Sequence, residues 1–221
     1  MPIRLKRPSA RIAIASLYLC TLSGCVPIVL GAATATGMAA TDRRSLGAQM
    51  DDTSIELRVG SRVGEVAAPT AHVNVSSYNR RVLLTGEVPA DSDLQAIAAA
   101  TKQDASVRAV FNEAVLAPEA SSFGDRSSDT LIATKVKASL VAEKGLPSSA
   151  FKVVVERKVV YLMGMATKDE ADLASSVASR VPDVASVVRV LEIVPKEAIE
   201  RIAPAKASDA SLAQEDATYA R

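Results

Sequence analysis

The chain has 221 residues, and its 26 Lys and Arg residues nearly balance its 25 Asp and Glu residues. This balance argues against a general polyanion binder, which needs a strong positive field. The absence of Trp and an aromatic content of only 3% also remove the usual stacking platforms for sugars and single-stranded nucleic acid.

The first residues have the layout of a secretory signal peptide. A basic head precedes an apolar run from Ile12 to Leu22, and the small residues Ser23 and Gly24 follow directly. The run of about 11 residues is shorter than the roughly 20 that a membrane-spanning helix needs. The pattern therefore predicts a signal peptide over residues 1–24.

The residues Leu22-Ser23-Gly24-Cys25 resemble the lipobox of bacterial lipoproteins. This resemblance implies cleavage before Cys25 and a covalent diacylglycerol and N-acyl lipid on that residue, which give stable membrane anchoring. Residues 25–50 would then form a lipidated linker. Plain cleavage after a small residue and an uncleaved anchor are the alternatives. Because Cys20 lies in the signal, the lipidated chain would keep neither a free thiol nor a disulfide.

The rest of the sequence repeats itself at an offset of 77 or 78 residues. The matching segments are Asp52 to Val59 with Asp129 to Val136, Val82 to Gly86 with Val160 to Gly164, and Val107 to Val110 with Val184 to Val187. A constant offset over three matches predicts a tandem duplication. We place the two domains at 51–117 and 129–195, the linker between them at 118–128, and a tail at 196–221 that is disordered apart from at most one short helix.

Each copy begins with a predicted amphipathic helix. The apolar stripes have helical spacing and are Ile55, Val59, Val63 and Val66 in the first copy, and Ile132, Val136 and Leu140 in the second. We expect Thr53 and Glu56 to form a capping box at the start of the first helix. Asp129 or Thr130 is expected to cap the second.

Two strands follow in each copy. Their predicted bounds are 71–76 and 81–88 in the first copy, and 151–156 and 159–165 in the second. The alternation of Val82, Leu84 and Val88 predicts a half-buried strand. We assign Gly86 and Gly164 a structural role, because glycine permits a positive φ or a close backbone approach.

A second helix and a third strand complete each copy. The helices are predicted at 91–103 and 168–180, and the strands at 107–116 and 184–194. The predicted class is therefore α+β, with two tandem α-β-β-α-β sandwich domains in which helices cover a sheet.

A duplicated unit of this order with Val-x-Leu-x-Gly in its second strand resembles the BON domain. The pattern occurs as Val82-Leu83-Leu84-Thr85-Gly86 and Val160-Tyr161-Leu162-Met163-Gly164. With the lipobox, the chain is similar to the dual-BON outer-membrane lipoproteins over roughly residues 12 to 195. The segment from Ala40 to Asp52 also resembles a motif that precedes the first domain in that family.

The resemblance implies a non-enzymatic lipoprotein of the outer membrane that faces the periplasm and supports envelope integrity. It implies contact with anionic phospholipid through the second domain, and an association with the outer-membrane protein assembly machinery. It implies no nucleic acid and no small-molecule substrate. A periplasmic chaperone-like stress protein of the same domain type is the alternative, and a hydrolase acting on envelope polymers is a third possibility.

No catalytic constellation stands out in the sequence. His72 is the only histidine, so a His-rich metal site is excluded, and its position on a strand favours a structural role. No Gly-x-Ser-x-Gly elbow is present. The pairs Asp51-Asp52 and Asp169-Glu170 fall at predicted helix starts, where capping explains them. We therefore predict no catalytic residue, no metal and no cofactor other than the lipid on Cys25.

The second copy carries the one feature that suggests a binding surface. Residues 51–117 contain six basic and nine acidic residues, whereas residues 125–195 contain ten basic and nine acidic ones. Leu131 lies off the core stripe and beside lysines, as in helices that bind at a lipid interface. We predict that the phospholipid contact consists of Leu131, Thr134, Lys135, Lys137 and Lys144. An ordinary solvated face is the alternative.

Overall fold

The structure is a computed structural model that describes residues 42–202. The predicted signal peptide, Cys25 and most of the predicted tail lie outside the described residues. The first domain contains α1 (Leu46–Val66), β1 (His72–Tyr78), β2 (Arg81–Val88), α2 (Asp91–Lys102), β3 (Ala109–Asn112) and β4 (Val115–Leu116). The second contains α3 (Phe123–Ala142), a 3-10 turn (Ser148–Ala150), β5 (Phe151–Glu156), β6 (Val159–Ala166), α4 (Lys168–Ser179) and β7 (Ser186–Ile193). A short helix, α5 (Lys196–Ile202), lies in the segment predicted as a tail with at most one short helix.

The predicted α+β class is confirmed, and both domains have the same topology. In the first sheet β2 is central, antiparallel to β1 and parallel to β3 and β4. In the second sheet β6 is central, antiparallel to β5 and parallel to β7. The third strand of the first domain is interrupted between Asn112 and Val115, which divides it into β3 and β4.

The two helices of each domain cover one face of its sheet. Ile55, Val59 and Val63 of α1 pack with Val82 and Leu84 of β2. In the second domain the equivalent stripe of α3 consists of Ile132, Val136 and Leu140, and it packs against Val160 and Leu162 of β6. The predicted apolar stripes therefore form the cores, except that Val66 is 43% exposed.

A third apolar cluster joins the two domains through the opposite faces of the sheets. Its buried members are Tyr78, Leu83, Tyr161, Met163, Met165 and Val190. As a result both faces of β2 and β6 are buried. The expectation of a half-buried β2 was wrong, because it treated each copy as a separate sandwich. The two domains form one body with the layers helix, sheet, sheet and helix.

Polar contacts surround this shared cluster. Asn74 donates to Glu156 at 2.7 Å, and Asn79 donates to Glu192 at 2.7 Å. The ammonium group of Lys152 pairs with Glu56. Each of these contacts joins one domain to the other, so the interface has a fixed register.

Arg43 connects the segment before α1 to the second domain. Its guanidinium donates to both carboxylate oxygens of Glu170, at 2.7 and 2.8 Å, and to the carbonyl oxygen of Met165 at 2.6 Å. The Arg43 contact lowers the pKa of Glu170, although partial burial opposes this. The segment that leads toward Cys25 in the sequence is therefore tied to both domains.

We expect Arg43→Ala to lower the free energy of unfolding by about 1–3 kcal/mol, because a charge-assisted bidentate contact is lost. A double-mutant cycle with Glu170→Gln, measured by urea unfolding at pH 7, should give a positive coupling energy. The coupling should decline as the pH falls through the lowered pKa of Glu170. Additive effects of the two substitutions would contradict this assignment.

Both first helices begin earlier than predicted. The side chain of Ser45 accepts a hydrogen bond from the amide of Ala48 and caps α1, so the predicted Thr53 and Glu56 box was wrong. Thr53 lies within α1, and its hydroxyl donates to the carbonyl of Gln49. The Thr-x-x-Glu spacing of a capping box also occurs inside helices, so the pattern alone does not mark a helix start.

The α3 helix begins at Phe123, inside the segment predicted as a linker. Ser122 and Asp125 form the capping box, in which each side chain bonds the other's backbone amide. The predicted caps Asp129 and Thr130 were therefore wrong, and residues 123–128 are helical. Only a short connection remains between Leu116 and the helix.

Asp52 and Asp129 are buried in the middle of their helices and bind the β-hairpin turns. Asp52 accepts hydrogen bonds from the amides of Asn79 and Arg80, each at 2.7 Å. Asp129 accepts from the amides of Arg157 and Lys158, at 2.8 and 2.9 Å. All four turn residues have positive φ, as a two-residue type I′ hairpin requires. Asp51-Asp52 was therefore misread as a helix start.

The two glycines assigned a structural role lie in β2 and β6, directly against backbone atoms of the neighbouring segment. A Cβ atom on Gly86, whose φ is +114°, would overlap the carbonyl oxygen of His72. On Gly164 it would overlap the carbonyl oxygen of Ala150. Each close approach keeps the strand pair in register.

Candidate functional site

The outward side of α3 carries three large apolar side chains that no described residue covers. Phe123 is 81% exposed, Leu131 is 63% exposed and Val141 is 71% exposed. Together they define the outer face of α3. At 1.5 Å per residue, the three residues extend over about 27 Å along the helix.

Helical geometry places these three residues on one side of α3. At 100° per residue, Phe123 and Val141 lie on the same line, and Leu131 lies about 80° away from it. The core residues Ile132 and Val136 point into the second domain. Because the core already has its own stripe, the outer face is a second apolar surface and not a displaced part of the core.

Lysines lie along the edges of this face. Lys135 and Lys137 are exposed on opposite sides of the apolar line, and Lys144 is exposed just beyond the end of α3. Lys135 pairs with Asp183 at 3.0 Å, and both side chains are at least half exposed. Neither Lys137 nor Lys144 has an ion pair with another described residue. An apolar line with cations beside it can insert into a lipid interface and meet phosphate groups.

The five predicted contact residues all lie on or next to the outer face of α3. Leu131 is exposed, because its position on α3 lies away from the stripe of core residues. Thr134 is exposed too, but its hydroxyl donates to the carbonyl of Thr130. Its hydroxyl proton is therefore already used within the helix.

Phe123 and Val141 were missed in the sequence. Phe123 was placed in a linker, although Ser122 and Asp125 have the capping-box spacing that would have extended the helix over it. Val141 follows Leu131, Thr134 and Ala138 at spacings of three and four residues, which a longer helix would have placed on one face. Phe123, two turns before Leu131, is the only aromatic residue of α3.

The described part of the chain contains no group of three His, Cys, Asp or Glu side chains that could hold a metal ion. His72 lies on β1, and its ring nitrogen Nε2 is 3.2 Å from the side-chain amide of Asn74. Within residues 42–202, no helix has both the length and the hydropathy needed to cross a bilayer.

The family model of the BON domain matches the chain twice, at residues 51–118 and at residues 128–195. The chain belongs to the BON domain family. The two matches coincide with the two repeated folding units, so each α-β-β-α-β unit is one BON domain. Leu131 and Val141 of the outer face lie within the second match, whereas Phe123 precedes it by five residues.

Two known proteins are similar to this chain over most of its length. The chain is 36% identical over 174 residues to outer membrane lipoprotein DolP of Haemophilus influenzae, which covers 77% of this chain and 89% of that protein. It is 32% identical over 155 residues to a 21 kDa hemolysin of Actinobacillus pleuropneumoniae, covering 69% and 79% of the two chains.

Among solved structures, the chain is similar to the C-terminal domain of CdsD, a structural protein of the type III secretion system of Chlamydia trachomatis. The identity is 11%, the TM-score is 0.27, and the similarity covers 63% of this chain and 96% of that one.

Proposed function

We propose that this protein is a non-enzymatic lipoprotein of the outer membrane, anchored through Cys25 and facing the periplasm. It supports envelope integrity by binding anionic phospholipid through the outer face of α3. The membership in the BON domain family, the similarity to outer membrane lipoprotein DolP and the lipobox at Leu22 to Cys25 support this proposal. Association with the outer-membrane protein assembly machinery is part of the same proposal and is based on the resemblance alone.

The observation that carries the proposal is the exposed apolar line of Phe123, Leu131 and Val141 between lysines. Each lysine near an anionic surface contributes about 1 kcal/mol. A large apolar side chain contributes about 1.5–3 kcal/mol when it is fully buried, and less when it enters a lipid interface partly. The sum is a weak contact, which suits a domain that a lipid anchor already holds at the membrane.

The equivalent helix of the first domain does not have this character. The α1 helix contains no lysine, and four of its residues are acidic. Its two arginines both pair with Asp104. The lysine-lined face is therefore a property of the second domain, and the proposal assigns the lipid contact to that domain alone.

The test is co-sedimentation of the lipid-free chain with vesicles that contain phosphatidylglycerol, compared with vesicles of phosphatidylcholine. We expect wild type to bind only the anionic vesicles. Leu131→Glu with Lys135→Glu should reduce binding at least tenfold, because it removes an apolar contact and reverses a charge. Phe123→Ser should reduce it several-fold by itself.

Leu57→Glu is the matched control, since Leu57 is a leucine on α1 with similar exposure, 72% against 63% for Leu131. At low micromolar protein concentration, where the chain is monomeric, it should leave vesicle binding unchanged. Equal loss in the Leu57→Glu and Leu131→Glu variants would contradict the assignment to α3. Unchanged binding of the Leu131→Glu, Lys135→Glu protein would refute the proposed contact.

A further inference from the structure

The α1 helix of the first BON domain carries an uncovered seam of its own. Leu46, Met50 and Leu57 are 67%, 71% and 72% exposed, which is unusual for large apolar residues of one helix. Toward the C-terminal end of α1, small residues occupy the same side of the helix. The whole seam is Leu46, Met50, Thr53, Leu57, Gly60 and Gly64.

The seam has the spacing of a helix-pairing surface. Its residues follow one another at intervals of four, three, four, three and four, which is the heptad repeat of a coiled coil over about 27 Å. The core stripe of α1, with Ile55 and Val59, is on the opposite side and packs within the first domain. No residue between 42 and 202 lies within 4 Å of the position that a Cβ atom would take on Gly60 or Gly64, so a second helix has room to approach there.

The order of large and small residues along the seam identifies its occupant. If an identical helix lies antiparallel and is centred on Ile55, Leu46 meets Gly64 and Met50 meets Gly60. Leu57 then meets Thr53. Each large side chain faces a small one, and every pair occurs twice because the contact is symmetric.

We propose that two copies of this protein associate through their α1 helices, antiparallel and two-fold symmetric, with these size-matched pairs in contact. The small residues lower the helix surface where the large residues of the partner project. The charge pattern fits the same register. Asp51 precedes the centre by four residues and Arg58 follows it by three on the same edge of the seam. Asp51 of each copy therefore lies near Arg58 of the other, which is 45% exposed and also pairs with Asp104 of its own copy.

A lipid surface is a poorer occupant of this seam. The α1 helix has no lysine, and both of its arginines already pair with Asp104. The exposed Asp51 and Glu65 would face an anionic surface. Gly60 and Gly64 add no apolar area to a bilayer contact, whereas they do allow two helix backbones to approach closely. The two outer helices therefore differ in chemistry, with lysines on α3 and a self-complementary seam on α1.

The contact is small. A single pair of helix faces buries less than the roughly 1,200–2,000 Å² of a stable interface, so we expect a weak, reversible dimer. The inference does not depend on the proposed lipid binding, since it concerns another helix and needs no membrane.

The first experiment is sedimentation equilibrium of residues 25–221 with Cys25→Ser, over about 10 μM to 1 mM, because interfaces of low area bind weakly. We expect a concentration-dependent dimer of wild type. Leu57→Glu should weaken it at least tenfold, whereas Leu131→Glu should not change it. Unchanged circular dichroism and thermal unfolding of the Leu57→Glu protein would show that it is folded.

The second experiment tests the register by disulfide formation in the same Cys25→Ser background, which has no other cysteine outside the signal peptide. A mixture of Thr53→Cys and Leu57→Cys proteins should form a heterodimer under mild oxidation. A mixture of Thr53→Cys and Gly64→Cys proteins should crosslink at least fivefold less. A monomer at all concentrations, equal crosslinking in both mixtures, or an equal effect of Leu131→Glu would overturn the proposal.

Discussion

Replacing Asp52 with alanine is expected to lower the free energy of unfolding by about 3–5 kcal/mol, which is a large part of the stability of a domain this size. Asp52 is 2% exposed and accepts four hydrogen bonds. Two come from the turn amides of Asn79 and Arg80, and two come from the side chains of Ser77 and Arg44. Without the carboxylate, these donors are left without their acceptor inside the protein.

The turn amplifies the effect. Asn79 and Arg80 have φ values of 50° and 63°, which non-glycine residues adopt at a cost. The carboxylate of Asp52 holds both amides in this conformation and so fixes the β1–β2 register. Arg44, stacked 3.9 Å from the centre of the Tyr78 ring, would lose one of its two carboxylate partners next to the interdomain cluster and keep only Asp42.

Asp51→Ala is the matched control, because Asp51 is exposed and precedes Asp52 in the same helix. It should change stability by less than about 0.5 kcal/mol. Chemical denaturation of the three proteins at pH 7 measures the difference. Equal destabilisation by the two substitutions would contradict the role of Asp52.

The pH dependence of stability gives an independent check. Burial raises the pKa of Asp52, but hydrogen bonds from Arg80, Ser77, Arg44 and Asn79 outweigh it and hold the pKa below its ordinary value of 3.8. A lowered pKa in the folded state stabilises the protein above the unfolded pKa, and this stabilisation is lost as the pH falls through the folded pKa. The stability difference between wild type and Asp52→Asn should therefore shrink below about pH 3.8.

Much of the fold could be predicted because the repeat gives every pattern twice. The stripes of α1 and α3 and the Val-x-Leu-x-Gly patterns of β2 and β6 appear in both copies at an offset of 77 or 78 residues. A pattern that occurs twice in register is hard to assign to the wrong element. The order of elements and the core residues follow from it.

The contacts between the domains could not be predicted in the same way. Leu83, Met163 and Val190 read as ordinary residues on the outer face of a two-layer sandwich. Their burial depends on a second sheet that a local pattern does not reveal. The short connection between β4 and Phe123 favours contact between the two domains, because it leaves little free linker.

The starts of α1 and α3 were predicted wrongly for a different reason. Asp52 and Asp129 each stand in a sequence that suits an N-cap, and an aspartate within a helix interior is usually exposed. Their burial makes sense only when the hairpin turns lie beside them. The same error hid Phe123, so the outer face of α3 was assigned without its aromatic residue.

Gly86→Ala is expected to have the second large effect on folding, with a loss of about 3 kcal/mol or more. Its Cβ would overlap the His72 carbonyl oxygen, and alanine is strained at a φ of +114°. The overlap involves backbone atoms, so relief requires β1 to move away from β2. Since β2 also carries the interdomain cluster through Leu83, the shift would weaken the contact with the second domain.

Gly60→Ala is the control that separates steric overlap from glycine replacement in general. Gly60 lies within α1, and no described atom is near the position that an alanine Cβ would take. Because alanine favours the helix over glycine, Gly60→Ala should stabilise the protein by up to about 1 kcal/mol. Thermal unfolding at low micromolar concentration, where the inferred dimer is dissociated, compares the two variants. Opposite signs for the two substitutions are expected. A Gly86→Ala protein as stable as wild type would show that β1 and β2 can separate without cost, which would remove the register argument for this glycine and for Gly164.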